Sequence, residues 1–354
     1  MPIPTEPIGS VPRPLGLIEA VRAAEEGRTS PEELERVYEE ALRDTIERFE
    51  ATGSPVITDG EQTKPSFATY PLQGLDNLAP DGVTIPFEDG HTRQLPRLTA
   101  GPFRYAMYAD EYLRRAKQHA HVPVKQAVIA PSALSLLYPQ EGIDGYPRER
   151  FLEDLIDGAA TDVRRPLDAG ASNVQLDFTE GRLSVKLDPS HALLDEFIRI
   201  NNRVLERFSD NQRNRIGIHT CPGSDQDAAH SLDVDYAELL PGLFSLKAGT
   251  FYIQLASEKD RPHVLGIVKE HAPRDARIFV GVIDPIDPRV ETAEEVRDRV
   301  LEAAEYIPLE QLGTCDDCGF SPFSDDTSTS RDTAFAKIRA RVEGTRLAAE
   351  KLGV

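Results

Sequence analysis

Tryptophan is absent from the 354-residue chain, and methionine and cysteine are scarce, with two and three copies. These absences remove two common recognition surfaces, namely aromatic platforms for stacked bases and methionine-rich binding faces. Three cysteines are too few for a disulfide framework, so we expect them to bind a metal, to carry thiol chemistry or to be inert. No apolar run approaches the ~18 residues of a membrane span, and the N-terminus lacks the regions of a signal peptide. We therefore expect a soluble, cytoplasmic protein with no membrane partner.

Positive charge is also in short supply, because 40 basic residues face 60 acidic ones and the formal net charge is −20. Nucleic-acid binding needs clustered lysine and arginine, so we expect no nucleic-acid partner. Three motifs are missing as well: the G-x-S-x-G elbow of hydrolases, the P-loop and the dinucleotide-binding G-x-G-x-x-G. Small-molecule chemistry of another kind is therefore the expected function.

Short runs rich in valine and isoleucine alternate with longer amphipathic stretches along the chain. Eight such runs, most of them followed by a helical pattern, are the number that closes a (β/α)8 TIM barrel, an α/β fold. Their near-continuous apolar character is typical of strands that are buried on both faces. An open doubly wound sheet would show the same alternation and is the other interpretation. The predicted strands are 4–11, 56–61, 126–130, 173–177, 215–219, 250–255, 277–284 and 312–318.

Helix start signals precede several of the amphipathic stretches, for example Ser30 before Pro31 and Thr292 three residues before Glu295. Residues 75–103 carry proline, glycine and alternating apolar residues without a helical period, which predicts a β-hairpin insertion after the second strand. We expect a single domain over residues 1–354. The predicted helices are 31–51, 106–119, 148–168, 192–208, 236–240, 260–271, 293–305 and 331–352.

Polar residues stand at the carboxyl end of nearly every predicted strand. In a barrel these ends meet at one mouth, where barrel enzymes keep their chemistry. One carboxylate could be a helix cap, but seven strand ends with such groups favour a catalytic mouth. Other histidines, such as His230, lie among charged neighbours and are expected to be solvated. The polar strand ends are Ser10, Asp59 with Glu61, Asp177, His219 with Cys221, Gln254, Asp284, and Asp316 with Asp317 and Cys318.

His219 and Cys221 are two residues apart on an extended segment, so both side chains point to the same side and can reach one ion. Cys318 lies on the strand that would complete the barrel. Two thiolates and one imidazole suit Zn²⁺ better than Mg²⁺ or Ca²⁺. On spacing alone, buried inert cysteines beside a satisfied histidine explain the pattern equally well. Cys315 forms a C-x-x-C pair with Cys318, but its place at a strand end does not favour redox chemistry, and a role as an apolar wall residue is open.

Five motifs occur in order over essentially the whole chain, and together they resemble the C-terminal catalytic domain of cobalamin-independent methionine synthases. That family belongs to the barrel superfamily that also contains uroporphyrinogen decarboxylase. The matching segments are Ile8-Gly9-Ser10 with Pro12-Arg13, Gly60-Glu61, Gln175-Leu176-Asp177, His219-Thr220-Cys221 and Asp317-Cys318-Gly319.

The resemblance implies a zinc-dependent methyltransferase of methionine biosynthesis that acts on a thiol such as homocysteine. It implies that His219, Cys221 and Cys318 bind Zn²⁺. It further implies that the segment of Ile8 and Ser10 binds the amino-acid carboxylate of the thiol. The remaining implied contacts are those of Glu61 and Asp177 with its amino group.

Two positions depart from the family pattern. Gln254 stands where the family has a glutamate zinc ligand, so Gln254, Glu258, Cys315 or water is the candidate fourth ligand, and Gln254 is also a candidate substrate contact. Ile286 replaces the catalytic histidine of the family's D-x-H-S-P segment. Asp284 and Asp287, which flank Ile286, are then the expected catalytic residues.

These departures leave several functions open. Epoxyalkane–coenzyme M transferases also use an H-x-C…C set, so alkyl transfer to a thiol without folate is one alternative. A metal-free, decarboxylase-like or lyase barrel is another, and a non-enzymatic zinc-binding barrel is a third. The expected partners are a small-molecule thiol and a methyl or alkyl donor, whose identities the sequence does not specify. A homo-oligomer is also left open.

Overall fold

The computed structural model describes residues 2–354. A six-stranded parallel sheet forms its centre, and helices surround that sheet. The strands are β1 Leu78–Ala79, β2 Thr84–Pro86, β3 Thr92–Gln94, β4 Arg97–Leu98, β5 Gln126–Ile129, β6 Val174–Asp177, β7 Ile216–Thr220, β8 Ser224–Asp225, β9 Ala228–Ala229, β10 Thr250–Ile253, β11 Arg277–Ile283 and β12 Leu312–Asp316.

The helices alternate with the strands of the central sheet, and no helix among residues 2–354 has the length and apolar character needed to cross a bilayer. They are α1 Leu15–Glu25, α2 Pro31–Ala51, α3 Asp110–Ala116, α4 Pro131–Ser135, α5 Arg148–Asp168, α6 Glu180–Leu187, α7 Ala192–Leu205, α8 Asp210–Arg213, α9 Leu240–Leu243, α10 Arg261–His271, α11 Ala293–Ala304 and α12 Arg331–Leu352, with 3-10 turns at Tyr70–Leu72 and Tyr236–Glu238.

The central sheet follows the chain order β5-β6-β7-β10-β11-β12, and every neighbouring pair is parallel. These six strands coincide with six of the eight predicted ones, and nearly all of their residues are buried. Burial on both faces explains why the strands are continuously apolar in sequence. The α/β barrel prediction is confirmed.

The first two predicted strands form single bridges instead of strands. Thr5 pairs in parallel with Thr314 of β12, and Ile57 pairs with Val124 next to β5. The Val11 amide donates to the Gly60 carbonyl at 3.1 Å, so the two segments lie side by side and complete the ring. The predicted lengths of these strands were wrong because prolines at 4, 7 and 55 have no amide hydrogen with which to extend a ladder.

Helix prediction failed mainly at short or weakly marked elements. α1 was not predicted, because Pro14 at its N-cap makes no side-chain cap. The predicted helix 106–119 shortens to α3, and 236–240 is a 3-10 turn followed by α9. The two start signals were correct: Ser30 accepts from the Glu33 amide at 3.2 Å, and Thr292 forms a capping box with Glu295.

Residues 75–103 lie over the carboxyl ends of the sheet strands. Within them β1 pairs with β4 and β2 pairs with β3, both antiparallel. Arg93 of β3 reaches across to two carboxylates, with its Nη2 3.1 Å from Asp225 Oδ1 and 3.0 Å from Asp325 Oδ1. The Glu88 amide also donates to the Ala229 carbonyl at 2.9 Å. The insertion is thereby attached to the loops that follow β7 and β12.

Buried ion pairs join the last two helices to the sheet. Lys337 of α12 donates to Glu291 at 2.8 Å and to the Asp284 carbonyl at 2.9 Å, and both charged side chains are fully buried. Arg299 of α11 lies 3.6 Å from the same glutamate. One fully buried cation, Lys337, and one partly exposed cation, Arg299, therefore share this carboxylate.

We expect Glu291→Ala to lower the free energy of unfolding by about 3 kcal/mol or more, because it leaves Lys337 buried without a counter-charge. Urea denaturation measures the difference. Glu40→Ala, which removes the exposed partner of Arg36, is the matched control and should cost less than about 1 kcal/mol. Equal losses of unfolding free energy in the two variants would contradict the role of Glu291 as the counter-charge of Lys337.

Candidate metal centre

Three side chains from two distant parts of the chain meet at the mouth of the barrel. His219 is on β7, Cys221 follows it directly, and Cys318 follows β12. The Cys221 and Cys318 sulfurs are 3.1 Å apart, and one donor atom from each of the three residues lies within 4.8 Å of the others. All three are buried. Zn²⁺ stands roughly 2.0–2.3 Å from each donor and prefers thiolate and imidazole ligands, so the donor set suits this ion. The three atoms are close enough for one ion to bind them after small side-chain shifts.

The His219 ring is oriented by a carboxylate. Its Nδ1 lies 3.1 Å from Asp177 Oδ1, and the same oxygen accepts from the Gln175 side-chain Nε2 at 2.7 Å. Burial opposes protonation of His219, but the hydrogen bond and charge of Asp177 outweigh it and raise its pKa. A carboxylate on the second ring nitrogen is the arrangement that orients metal-bound histidines. Asp177 thus serves the ligand as well as facing the cavity.

The two sulfurs lie within hydrogen-bond distance, and their pKa values shift in opposite directions. The hydrogen bond from Cys221, together with the nearby His219, lowers the pKa of Cys318, although burial opposes this shift. Burial is the main cause of the raised pKa of Cys221, whose sulfur accepts from the Gly223 amide at 3.3 Å. The lowered pKa of Cys318 favours the thiolate form, which is the form that binds a soft divalent ion.

Asp317 fixes the loop that carries Cys318. Its carboxylate accepts from the amides of Leu255, Ala256 and Ser257 at 2.8, 2.9 and 2.7 Å. Burial, followed by repulsion from Asp284, raises its pKa to about 7. These contacts connect the end of β12 to the segment after β10, so that Cys318 cannot move independently of the barrel rim.

The candidates for a fourth ligand differ in their surroundings. Glu258 is paired with Arg182 at 2.6 Å, and the Cys315 sulfur lies 3.6 Å from the Phe279 carbonyl in a separate apolar cluster. The structure brings neither into the His219 group. Gln254 is fully buried and donates to Glu258, while its Oε1 has no partner within residues 2–354. The fourth ligand stays a prediction, and Gln254 Oε1 is the candidate atom that no other contact occupies.

Most of the predicted substrate contacts share one cavity of about 70 Å³ with two members of the metal group. Its wall contains Ile8, Ser10, Glu61 and Asp177 beside His219 and Cys318. Gln254 is not part of that wall. The structure thus brings together four of the five predicted substrate-binding residues.

Asp284 and Asp287 lie outside the wall of this cavity. The Asp284 carboxylate accepts from the Ile286 amide at 3.0 Å, and the Asp287 carboxylate accepts from the Arg289 amide at 2.9 Å. Burial raises the pKa of Asp284. Their catalytic assignment stays a prediction.

Several residues of the cavity wall were missed by sequence reasoning. His230 was expected to be solvated, but only 6% of it is exposed, and burial with the charges of Lys186 and Arg182 lowers its pKa to about 3. No local sequence signal marks these residues, because the folded insertion and the loops after β7 and β12 place them. The missed wall residues are Phe67, Ile85, Phe87, Arg93, His230 and Phe323.

We expect Cys318→Ser to lose the metal, whereas Cys315→Ser should retain it. The first variant removes one of the three grouped donors, and the second removes a thiol of the same loop that lies outside the group. Metal content, measured by elemental analysis on protein purified without chelator, should be about one equivalent in the wild type and in Cys315→Ser. Retention by Cys318→Ser would show that the grouped thiols are not ligands.

Sequence and structure comparisons give a consistent result. The family model described as "Cobalamin-independent synthase, Catalytic domain" matches residues 3–343. Methionine synthases of Saccharolobus solfataricus and Sulfurisphaera tokodaii are 22% and 25% identical over 352 and 354 residues, which is 99% of this chain and 96% and 94% of theirs. A B12-independent methionine synthase from Shewanella sp. W3-18-1, solved with selenomethionine, superposes with a TM-score of 0.79 at 21% identity and covers 99% of each chain. That superposition supports the barrel fold.

Proposed function

The chain belongs to the family of cobalamin-independent synthase catalytic domains, and from that premise we propose that it transfers a methyl group to the sulfur of a small thiol such as homocysteine, at a Zn²⁺ ion held by His219, Cys221 and Cys318. One observation carries this proposal. Two of the three grouped side chains, His219 and Cys318, line the same cavity as the residues suited to an amino-acid thiol, and Cys221 lies directly beside them. Those residues are Ser10, Glu61 and Asp177.

The acceptor must become a thiolate, although a free thiol has a pKa near 8.5 and is mostly protonated at pH 7. A bound Zn²⁺ supplies this chemistry, because coordination deprotonates a thiol and leaves its sulfur nucleophilic. In the balanced reaction the acceptor sulfur loses its proton and gains the methyl group. The donor's leaving group takes the electron pair of the broken bond. The acceptor's proton passes to that group when it is a nitrogen base, and to solvent when the donor is a sulfonium compound or methylcobalamin.

The chain's own residues bind and shield the acceptor. Glu61 and Asp177 offer carboxylate oxygens to an ammonium group. Ser10 belongs to the same wall, and its hydroxyl oxygen accepts from the Ser321 backbone amide at 3.2 Å. The insertion covers the mouth through Arg93. Exclusion of water strengthens the electrostatic contacts within such a site. Asp284 and Asp287 remain proposed groups for assisting the leaving group.

The charges of the cavity wall favour a thiol over a polycarboxylate. Arg93 is the cation of the described wall, and it is already paired with Asp225 and Asp325. A metal-free decarboxylase would need free cations to bind several carboxylates. A metal-free decarboxylase also gives no reason for the two neighbouring buried sulfurs of Cys221 and Cys318.

We expect the zinc-loaded protein to form methionine from homocysteine when a suitable methyl donor is present. Mass spectrometry should detect the product in reactions with methylfolates, methylcobalamin and sulfonium compounds, each tested alone. Cys318→Ser should lower the rate at least about 100-fold, equivalent to about 3 kcal/mol of lost stabilisation.

Cys315→Ser is the matched control and should keep the activity. Coenzyme M with an epoxide serves as the test of the alternative alkyl transfer. Methyl transfer that persists in Cys318→Ser would refute the proposed site, and turnover of the epoxide alone would assign the chain to the alternative reaction.

A further inference from the structure

Lys64 is a buried lysine close to the acceptor cavity. The family motifs do not include it, and the proposed function does not use it. Lys64 follows the Gly60-Glu61 motif by three residues and is fully buried. Its Nζ donates to Glu61 Oε1 at 3.0 Å and to the Ala127 carbonyl at 3.0 Å. The Tyr70 ring covers it at 4.7 Å. Lys64 does not line the cavity, so any effect on a ligand must pass through Glu61.

The backbone at Glu61 is held in an unusual conformation that turns its side chain into the cavity. Glu61 has a φ of 56°, in the left-handed region that a residue other than glycine rarely adopts. Its amide donates to Asp59 Oδ1 at 3.0 Å, and its carbonyl accepts from Arg13 at 2.7 Å. Gly60 precedes it with a φ of 63°, and a Cβ there would lie 2.6 Å from Thr45 Cγ2. These contacts hold the strained turn that places the Glu61 carboxylate in the cavity wall.

The two oxygens of Glu61 have different surroundings. Lys64 binds Oε1, whereas Oε2 has no hydrogen-bond partner among residues 2–354. Glu61 and Asp177 both belong to the cavity wall. A ligand cation in the cavity would therefore meet one oxygen that the protein leaves free.

The charged groups that face Glu61 act in opposite directions. Burial is the largest influence and raises the pKa of Glu61, and the negative charges of Asp177 and Asp59 act the same way, while Lys64 lowers it. Lys64 itself stays charged, because the negative charges of Glu61 and Asp59 outweigh its burial and raise its pKa. Arg13 contributes a further positive charge nearby. Without Lys64, the balance would shift toward a protonated carboxyl group, which cannot pair with an ammonium group.

We propose that Lys64 is a positioning residue of the acceptor site: it keeps Glu61 ionised and oriented, so that the cavity selects thiols that carry an amino group. This inference rests on the proposed function, because it assumes that the acceptor thiol binds in this cavity. It adds a specificity determinant that touches neither the substrate nor the metal ligands.

The test compares two thiols that differ only in the amino group, homocysteine and 4-mercaptobutanoate. Calorimetry on the zinc-loaded protein gives the Kd of each thiol between pH 6 and 8.5. Each thiol has the same intrinsic acidity in every variant, so the change in the ratio of the two Kd values between wild type and variant isolates the contact of the amino group. In Lys64→Met we expect the Kd of homocysteine at pH 7 to rise about tenfold or more, and that of 4-mercaptobutanoate to change less than about twofold.

The pH dependence should follow in a defined direction. Because loss of Lys64 raises the pKa of Glu61, homocysteine binding to Lys64→Met should recover as the pH rises and Glu61 ionises. Lys64→Arg keeps the charge and should restore the preference for homocysteine. Lys64→Gln keeps a hydrogen-bond donor without the charge, tests the same point if Lys64→Met does not fold, and should lose the preference.

A double-variant cycle checks that Lys64 acts through Glu61. Glu61→Gln should lose the preference for homocysteine, and adding Lys64→Met to it should cause no further loss. If Lys64→Met weakens the binding of both thiols equally, so that the ratio of their Kd values stays unchanged, the proposed role of Lys64 is wrong while the proposed function stands. A wild-type protein that binds neither thiol would instead overturn the proposed function.

Discussion

The common direction of the parallel strands is the constraint on which the rest of the structure depends. Because all six sheet strands run the same way, their carboxyl ends lie at one rim, and residues far apart in the chain become neighbours. His219 and Cys221 lie at the end of β7, and Cys318 lies just after β12. Two strands, β10 and β11, stand between β7 and β12 in the sheet. The barrel must therefore be nearly closed before the metal group exists.

Pairing of buried charges organises the mouth once the ring is complete. Asp177 faces His219, Glu61 faces Lys64, and Asp317 accepts three backbone amides after β10. A buried charge without a partner is costly, so each of these contacts also fixes a loop in place. The chain has a net charge of −20, but the buried carboxylates at its cavity are paired with His219 and Lys64. The insertion extends the same principle by attaching itself through one arginine to two aspartates.

Sequence reasoning succeeded where a local pattern reports directly on structure. The central strands were recognisable because burial on both faces leaves no room for polar residues. His219 and Cys221 were assigned through the resemblance of their H-x-C motif to a known family, since their spacing alone left an inert pair open. It was wrong about the lengths of the first two strands, where prolines limit pairing to single bridges. It was also wrong about His230, whose charged sequence neighbours conceal a buried position. Asp284 and Asp287 were chosen by elimination, and the structure places both outside the cavity wall.

By itself the sequence determined the fold class, the family and the three residues suited to bind a metal, because these depend on periodicity and on motifs a few residues long. Only the tertiary structure decided which thiols meet, how Asp177 orients His219, and that Cys315 lies in an apolar cluster apart from the metal group. It also decided the pairing of Lys64 with Glu61 and that of Arg93 with Asp225. Such contacts join residues that are distant in the chain, or they depend on the path of a single turn. Neither feature produces a periodic pattern in the sequence, so the sequence alone does not reveal them.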